Sequence, residues 1–297
     1  MPDSTHMVTP AQRKWLPPLT AVGFFMQTLD GTILNTALPS MAETLGESPL
    51  QMQSVIIAYM LTVALLIPAS GWLADRFGTR RIYLAAILLF TLGSLACAAA
   101  NSLPLLVAAR VLQGIGGALL MPVGRLAVLR VYSKHELLRV MSFVTIPGLV
   151  GPLIGPALGG WLVEVASWHW VFLINLPVGL LGFIASWYFM PDLRQSTAKF
   201  DWQGFVMFSA GMVLVSVGLQ GLGEHSISTG WALFALLFGL AAMASYWLYA
   251  ANAEEPLFGL GLFKTSTFAI GIWGNLFARL GSGAMPFLTP LFLQLGL

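Results

Sequence analysis

The sequence predicts an all-α polytopic membrane protein, and three observations carry that prediction. The 297 residues are 57% hydrophobic and only 9% charged, with a mean hydropathy of +0.82; a soluble domain keeps its surface wet with roughly a quarter charged residues. Apolar runs of roughly 20 residues recur from end to end, each long enough at about 1.5 Å per residue to cross about 30 Å of hydrocarbon. The short gaps between the runs alternate in charge.

The elements follow in order. Residues 1–14 read as a polar, then basic, tail. The run that follows is too long for a cleaved signal segment and leads into further spans, so it is taken as an uncleaved first helix. Eight complete spans are predicted at 15–38, 50–74, 82–100, 103–129, 140–163, 168–190, 202–222 and 230–250, and a ninth begins near 267 and continues to 297. Glycine and proline are frequent inside these runs, which membrane helices accept because neighbouring helices repair the backbone and small residues allow close approach. A transmembrane barrel is excluded by segment length and by the lack of period-two alternation.

Lys and Arg fix the direction. With Arg13 and Lys14 taken as cytoplasmic, alternate gaps hold Arg76, Arg80 and Arg81, then Arg130, Lys134 and Arg139, then Arg194 and Lys199, then Lys264. The opposite gaps hold no Lys or Arg but contain Glu43, Glu47, Glu164 and Glu224. This asymmetry predicts a cytoplasmic N-terminus, and the +2 charge concerns orientation, with no nucleic-acid partner implied. The chain stops inside an apolar helix at LTPLFLQLGL, and 25–39 faintly echoes 277–290. Together these predict a piece of a longer, repeat-built protein.

Ionisable residues inside the spans are the candidate functional groups, because lipid makes them costly. Asp30 lies about 12 Å from the outer end of the first span, and Arg110 about 10 Å from the outer end of the antiparallel fourth. Gln27 and Gln113 stand one turn from each on the same faces, Asn35 is placed to bond a neighbouring helix, and Arg279 is a further intramembrane base. Two readings stay open for Asp30 and Arg110: a fixed pair that anchors helices, or a cavity in which protonation of Asp30 changes the charge balance. In the fifth span, Gly151, Gly155 and Gly159 form a small-residue stripe that invites a close neighbour, while Pro147, Pro152 and Pro156 interrupt the hydrogen-bond ladder and loosen the helix. Trp168 and Trp170 read as interfacial anchors.

Several functions find no support. Four scattered histidines lack metal-ligand spacing, QGIGGALL follows no strand, and GxxxxGK[ST] is missing from the sequence, so no metal, cofactor or ATP-driven step is indicated. No constellation offers a nucleophile and base, so the chain is read as a non-enzyme. The lone Cys97 is read as packing. Membrane lipid, protons and a small molecule are the expected partners, with no obligate protein partner.

GWLADRFGTRR at 71–81, with one acid and three bases, resembles the cytoplasmic loop motif of the major facilitator superfamily. LLVAARVLQGIGGALLMP resembles that family's arginine-bearing fourth-helix motif, and GLVGPLIGPALGG the fifth-helix motif of its drug:proton antiporters. LDGTILNTALPSMA and ASWHWVFLINLPVG are similar to signatures of the fourteen-helix branch. The resemblance implies a major facilitator fold: a six-helix bundle at 15–190, a two-helix insert at 202–250, and at 267–297 the first helix of a second bundle. It implies proton-coupled export of small amphipathic or cationic compounds, with Asp30 and Arg110 in proton coupling. It also assigns Gly71, Asp75, Arg76, Gly78, Arg80 and Arg81 to a cytoplasmic gate. There Gly71 would permit close helix approach, Gly78 a tight turn, and Asp75 a charge contact made and broken between states. Thr79 departs from the pattern where many relatives are basic. Uptake of a small metabolite, or a non-transporting receptor or scaffold, are the alternative functions.

Overall fold

The computed structural model describes residues 8–195, 199–224, 227–254 and 256–278. All regular structure among them is helical. Helix α1 spans Pro10–Leu45, and α2 (Pro49–Leu66) continues through a short 3₁₀ turn at Ile67–Ala69 into α3 (Ser70–Phe77). There follow α4 (Thr79–Ala98), α5 (Leu103–Val131), α6 (Lys134–Val165), α7 (His169–Leu173), α8 (Asn175–Phe189), α9 (Trp202–Glu224) and α10 (Thr229–Ala250). Residues 266–278 are also helical, and the rest of the ninth expected span, with Arg279, lies outside the described residues.

Among the described residues, seven helical segments are long and apolar enough to cross a membrane: α2 with α3, α4, α5, α6, α7 with α8, α9 and α10. Helix α1 is not among them, although at 36 residues it is the longest helix. Its sequence carries Gln27, Asp30 and several threonines, and it packs against α2, α5, α6, α7 and α8, where such residues meet protein instead of lipid. It also starts earlier than expected, at Pro10, because Thr9 and Gln12 close a capping box around that turn. The sixth span is split into α7 and α8 at Ile174. Pro177 explains the break, since it has no N–H to return to the carbonyl of Leu173.

The packing order reproduces the alternation inferred from charge. Helix α1 meets α6 in parallel: a Cβ placed on Gly151 would strike Thr28 and Leu29, one on Gly155 would meet Thr32 and Ile33, and one on Gly159 would meet Ile33 and Thr36. The three threonines turn their hydroxyls back to carbonyls three or four residues earlier in α1, so the contact surface presents no unsatisfied donor. Helices α4 and α5 pack antiparallel, with Gly93 against Gln113 and Gly116 against Ala86 and Phe90. Helices α9 and α10 form an antiparallel pair, joined to α2 by a hydrogen bond from Ser209 Oγ to the Leu65 carbonyl at 3.0 Å.

The expected proline interruption takes a milder form. Helix α6 is assigned as one continuous helix through Pro147, Pro152 and Pro156. Pro152 and Pro156 are exposed, on the side away from α1, and the glycines hold the packed side. Trp168 also departs from expectation: only 2% exposed, it packs within the core against Phe172, and Trp170 alone stands outward. The ring of Trp168 is held there by His169, stacked at 3.7 Å.

The α1–α6 contact yields a paired test. In Gly159→Ala the new methyl would lie 2.5 Å from the Ile33 carbonyl oxygen, a backbone atom that cannot swing aside, whereas Gly160→Ala would meet open space. Gly159→Ala should lose about 1–3 kcal/mol of stability through overpacking, while Gly160→Ala should be neutral or gain up to about 1 kcal/mol from lower backbone entropy. Thermal unfolding of the two variants in detergent, followed by gel filtration, checks the contrast.

Candidate functional site

Six elements converge on one buried polar cluster. Asp30 projects from α1 and Arg110 from α5; each is 1% exposed, and Arg110 Nη1 donates to Asp30 Oδ2 at 2.7 Å. Gln113, one turn further along α5, takes part twice: its Oε1 accepts from Arg110 Nη1 at 2.6 Å and its Nε2 donates to Asp30 Oδ1 at 2.7 Å. Asn175, the first residue of α8, donates to the same Asp30 Oδ1 at 3.1 Å. Ser94 Oγ on α4 accepts from Gln113 at 2.8 Å and from Asn175 at 3.4 Å. From α2, the Val55 carbonyl accepts from Arg110 Nε at 3.3 Å, and the Tyr59 ring lies 4.2 Å from the guanidinium carbon. Phe172 of α7 faces that carbon at 5.9 Å.

Every group aimed at the Asp30 carboxylate is a donor, the environment that a carboxylate anion requires because it can only accept. The guanidinium is matched in turn by a carboxylate, an amide oxygen, a backbone carbonyl and an aromatic face. Such matching is what allows a charge pair to persist away from water. Cys97 lies beside it, Sγ 3.7 Å from Gln113 Oε1, in the apolar core as expected of a packing residue.

Asp30 and Arg110, which the sequence placed at similar depth without showing contact, meet here together with Gln113, and two other candidates stand apart. Gln27 is not in the cluster, and its buried Oε1 accepts no hydrogen bond. Asn35, expected to bond a neighbouring helix, is exposed. Ser94, Asn175 and Tyr59 were not singled out; each is a common residue type, and only the fold carries it to Asp30. The break before Pro177 was the one local signal for Asn175. Arg125, another base inside α5, also went unmarked; it stands 5.2 Å from the Phe24 ring.

At the end of the bundle that carries the bases, the loop motif is built differently from expectation. Asp75 pairs with Arg130, at the end of α5, at 2.5 Å, both partly buried, and not with the arginines of its own loop. Arg76 and Arg81 are exposed. Arg80 donates to the Trp187 carbonyl and lies 5.7 Å from that ring. Gly78 adopts φ +95°, the left-handed region that favours glycine, so the tight turn is present. A Cβ on Gly71 would meet nothing within 4 Å, so no close helix approach occurs there among the described residues. Thr79 forms a buried bridge: its hydroxyl donates to the Pro191 carbonyl at 2.7 Å and accepts from Leu193 N–H at 3.0 Å. Arg13 and Glu136 link α1 to α6 at the same end.

Among the described residues, no three His, Cys, Asp or Glu side chains gather as a metal site would need. An open pocket of about 400 Å³, lined by Lys199, Asp201, Trp202, Tyr249 and Glu254 among others, sits at the ends of α9 and α10 and contains no residue of the buried cluster.

The sequence profile of the Major Facilitator Superfamily matches residues 20–296. The chain is 56% identical over 295 residues to a Pectobacterium atrosepticum protein named "Putative multidrug resistance protein MdtD", covering 98% of this chain and 62% of that one. Proteins of the same name from Klebsiella pneumoniae and Serratia proteamaculans are 53% and 52% identical over 288 and 287 residues, each with 97% of this chain aligned. The chain thus spans about 60% of the length of these relatives. A bundle of long apolar helices closed around a buried ion pair, and a family match across nearly its whole length, make this a multi-pass membrane protein that belongs to the Major Facilitator Superfamily, a family of transporters and not of enzymes.

Proposed function

We propose that the full-length protein exports small amphipathic or cationic compounds across the bacterial inner membrane in exchange for protons, with Asp30 as the proton-carrying carboxylate and Arg110 as its counter-charge. The observation that carries this reading is the Asp30–Arg110 pair, 1% exposed on both sides and joined by a single guanidinium nitrogen. Ion pairs this deep are costly, and apolar packing of equal volume would often serve stability as well or better. A pair kept in such a place is suited to a change of state. Protonating Asp30 removes the attraction and leaves Arg110 with Gln113, Val55 and Tyr59, so proton loading and re-pairing become alternatives that two conformations can separate. Export is supported by the name the relatives carry. A cytoplasmic N-terminus is supported by the distribution of bases, which places Asp75, Arg130 and the Gly78 turn on the inner face. The proposed organisation is a bundle over 15–190, an insert over 202–250, and a second bundle beginning near 267.

Asp30→Asn in the full-length protein should abolish pH-gradient-driven efflux of a lipophilic cation, measured as its uptake into inverted vesicles. It also leaves a buried guanidinium without its counter-ion, a change worth about 3–5 kcal/mol in comparable pairs, so the amount of folded protein in the membrane is measured alongside. Unchanged efflux at equal protein would remove Asp30 from the mechanism and return the pair to an anchoring role.

The Asp75–Arg130 pair is proposed as a latch that favours the state closed on the inner side. Asp75→Asn and Arg130→Gln should each retain substrate binding, slow turnover and raise the inward-open population by up to about tenfold, equivalent to about 1.4 kcal/mol. Spin-label distances across the second and eleventh spans of the full-length protein measure that population, and the two substitutions should act equally and without additivity. Additive effects would mean that the two residues do not act as one pair.

A further inference from the structure

The two oxygens of Asp30 are held by different partners, and the difference assigns them different tasks. Oδ2 is met by the guanidinium alone, through Arg110 Nη1. Oδ1 accepts from two amides, Gln113 Nε2 and Asn175 Nδ2. Each of these amide groups has two hydrogens, and each gives the other to Ser94 Oγ. Both NH₂ groups are therefore fully used on the same two acceptors, and four buried side chains from α1, α4, α5 and α8 close one ring of contacts around Oδ1. Asn175, Ser94 and Gln113 are uncharged at any working pH, so this ring does not change when the charge on Asp30 does.

We infer that Asn175 is a positioning residue that, with Gln113, holds Asp30 Oδ1 as a permanent hydrogen-bond acceptor and so directs the transported proton to Oδ2. The inference rests on Asp30 being the proton carrier. Arg110 releases Oδ2, a proton from solvent binds the lone pair thus vacated, and Oδ1 stays behind as the carbonyl oxygen of the neutral acid, still accepting from both amides. On return, the proton leaves Oδ2 to solvent and Arg110 Nη1 takes its place; no bond other than O–H is made or broken. The titratable and charged groups that face Asp30 from the packed helices are Arg110 on α5, Tyr59 on α2 and Cys97 on α4. Of these, only Arg110 touches the carboxylate, and it does so at Oδ2. The break between α7 and α8 gives Asn175 its aim: as the first residue of α8 it stands where the helix axis restarts, and Pro177 keeps it there.

The placement makes a prediction that needs no knowledge of the substrate. In acid-minus-neutral infrared difference spectra of the purified full-length protein, the Asp30 acid carbonyl band is identified by its loss in Asp30→Asn or its displacement in Asp30→Glu. Since Oδ1 is the carbonyl oxygen and accepts two hydrogen bonds, removing one by Asn175→Leu should move that band to higher wavenumber, and Asn175→Ser, which keeps a shorter donor, should move it less. A band that stays in place in both variants would overturn the inference while leaving Asp30 as carrier. Failure of both variants to fold would overturn it too, by making Asn175 a structural residue. If the wild-type spectrum contains no acid band that depends on Asp30, the carrier reading itself fails and this inference falls with it.

Discussion

A charge placed where water cannot follow must be answered by protein, and the Asp30–Arg110 pair makes the rest of the bundle answer it. The carboxylate draws donors from α5 and α8, the guanidinium draws a carbonyl and an aromatic face from α2, and Ser94 of α4 ties the two amides together. No single helix could satisfy either ion. The demand for pairing therefore fixes how five helices sit around a common point, with more directional precision than apolar side chains supply in a lipid solvent. Removing the pair would also remove the reason for Asn175 to face inward.

Close approach is the second constraint, and glycine meets it where the helices are tightest. The fourfold spacing of Gly151, Gly155 and Gly159 matches that of Thr28, Thr32 and Thr36, so two parallel helices meet turn for turn. Threonine suits the facing side because its hydroxyl bonds within its own helix, leaving a small surface without an open polar group. This contact sets the depth of Asp30 relative to α6. Pro152 and Pro156 of α6, exposed on its other side, leave the glycine face untouched.

At the base-bearing end, short-range and long-range contacts divide the work. The Gly78 turn is local, fixed by a positive φ. The Thr79 bridge and the Asp75–Arg130 pair are long-range, and they bind the α3–α4 turn to the segment after α8 and to the end of α5. A basic residue at 79 could not occupy that buried site without leaving its charge unmatched, so a small neutral hydroxyl there has a packing reason.

Read alone, the sequence determined the solvent, the all-helical class, the glycine stripe, and Asp30, Arg110 and Gln113 as the groups that lipid would not tolerate. These are legible because each depends on composition or on spacing within one helix: a run long enough to span, an alternation of bases, two polar side chains one turn apart. It read Gln27 as polar company for Asp30 on the same helix face and Trp168 as an interfacial anchor, because spacing gives the face of a helix and not what stands opposite. Tertiary structure alone decided that Asn175 and Ser94 complete the carboxylate's shell, that Arg130 and not the neighbouring arginines pairs with Asp75, and that Thr79 is buried. The physical reason is the same in each case: a hydrogen bond or ion pair between helices depends on rotation and depth in both, and neither is encoded in the stretch of chain that carries one partner.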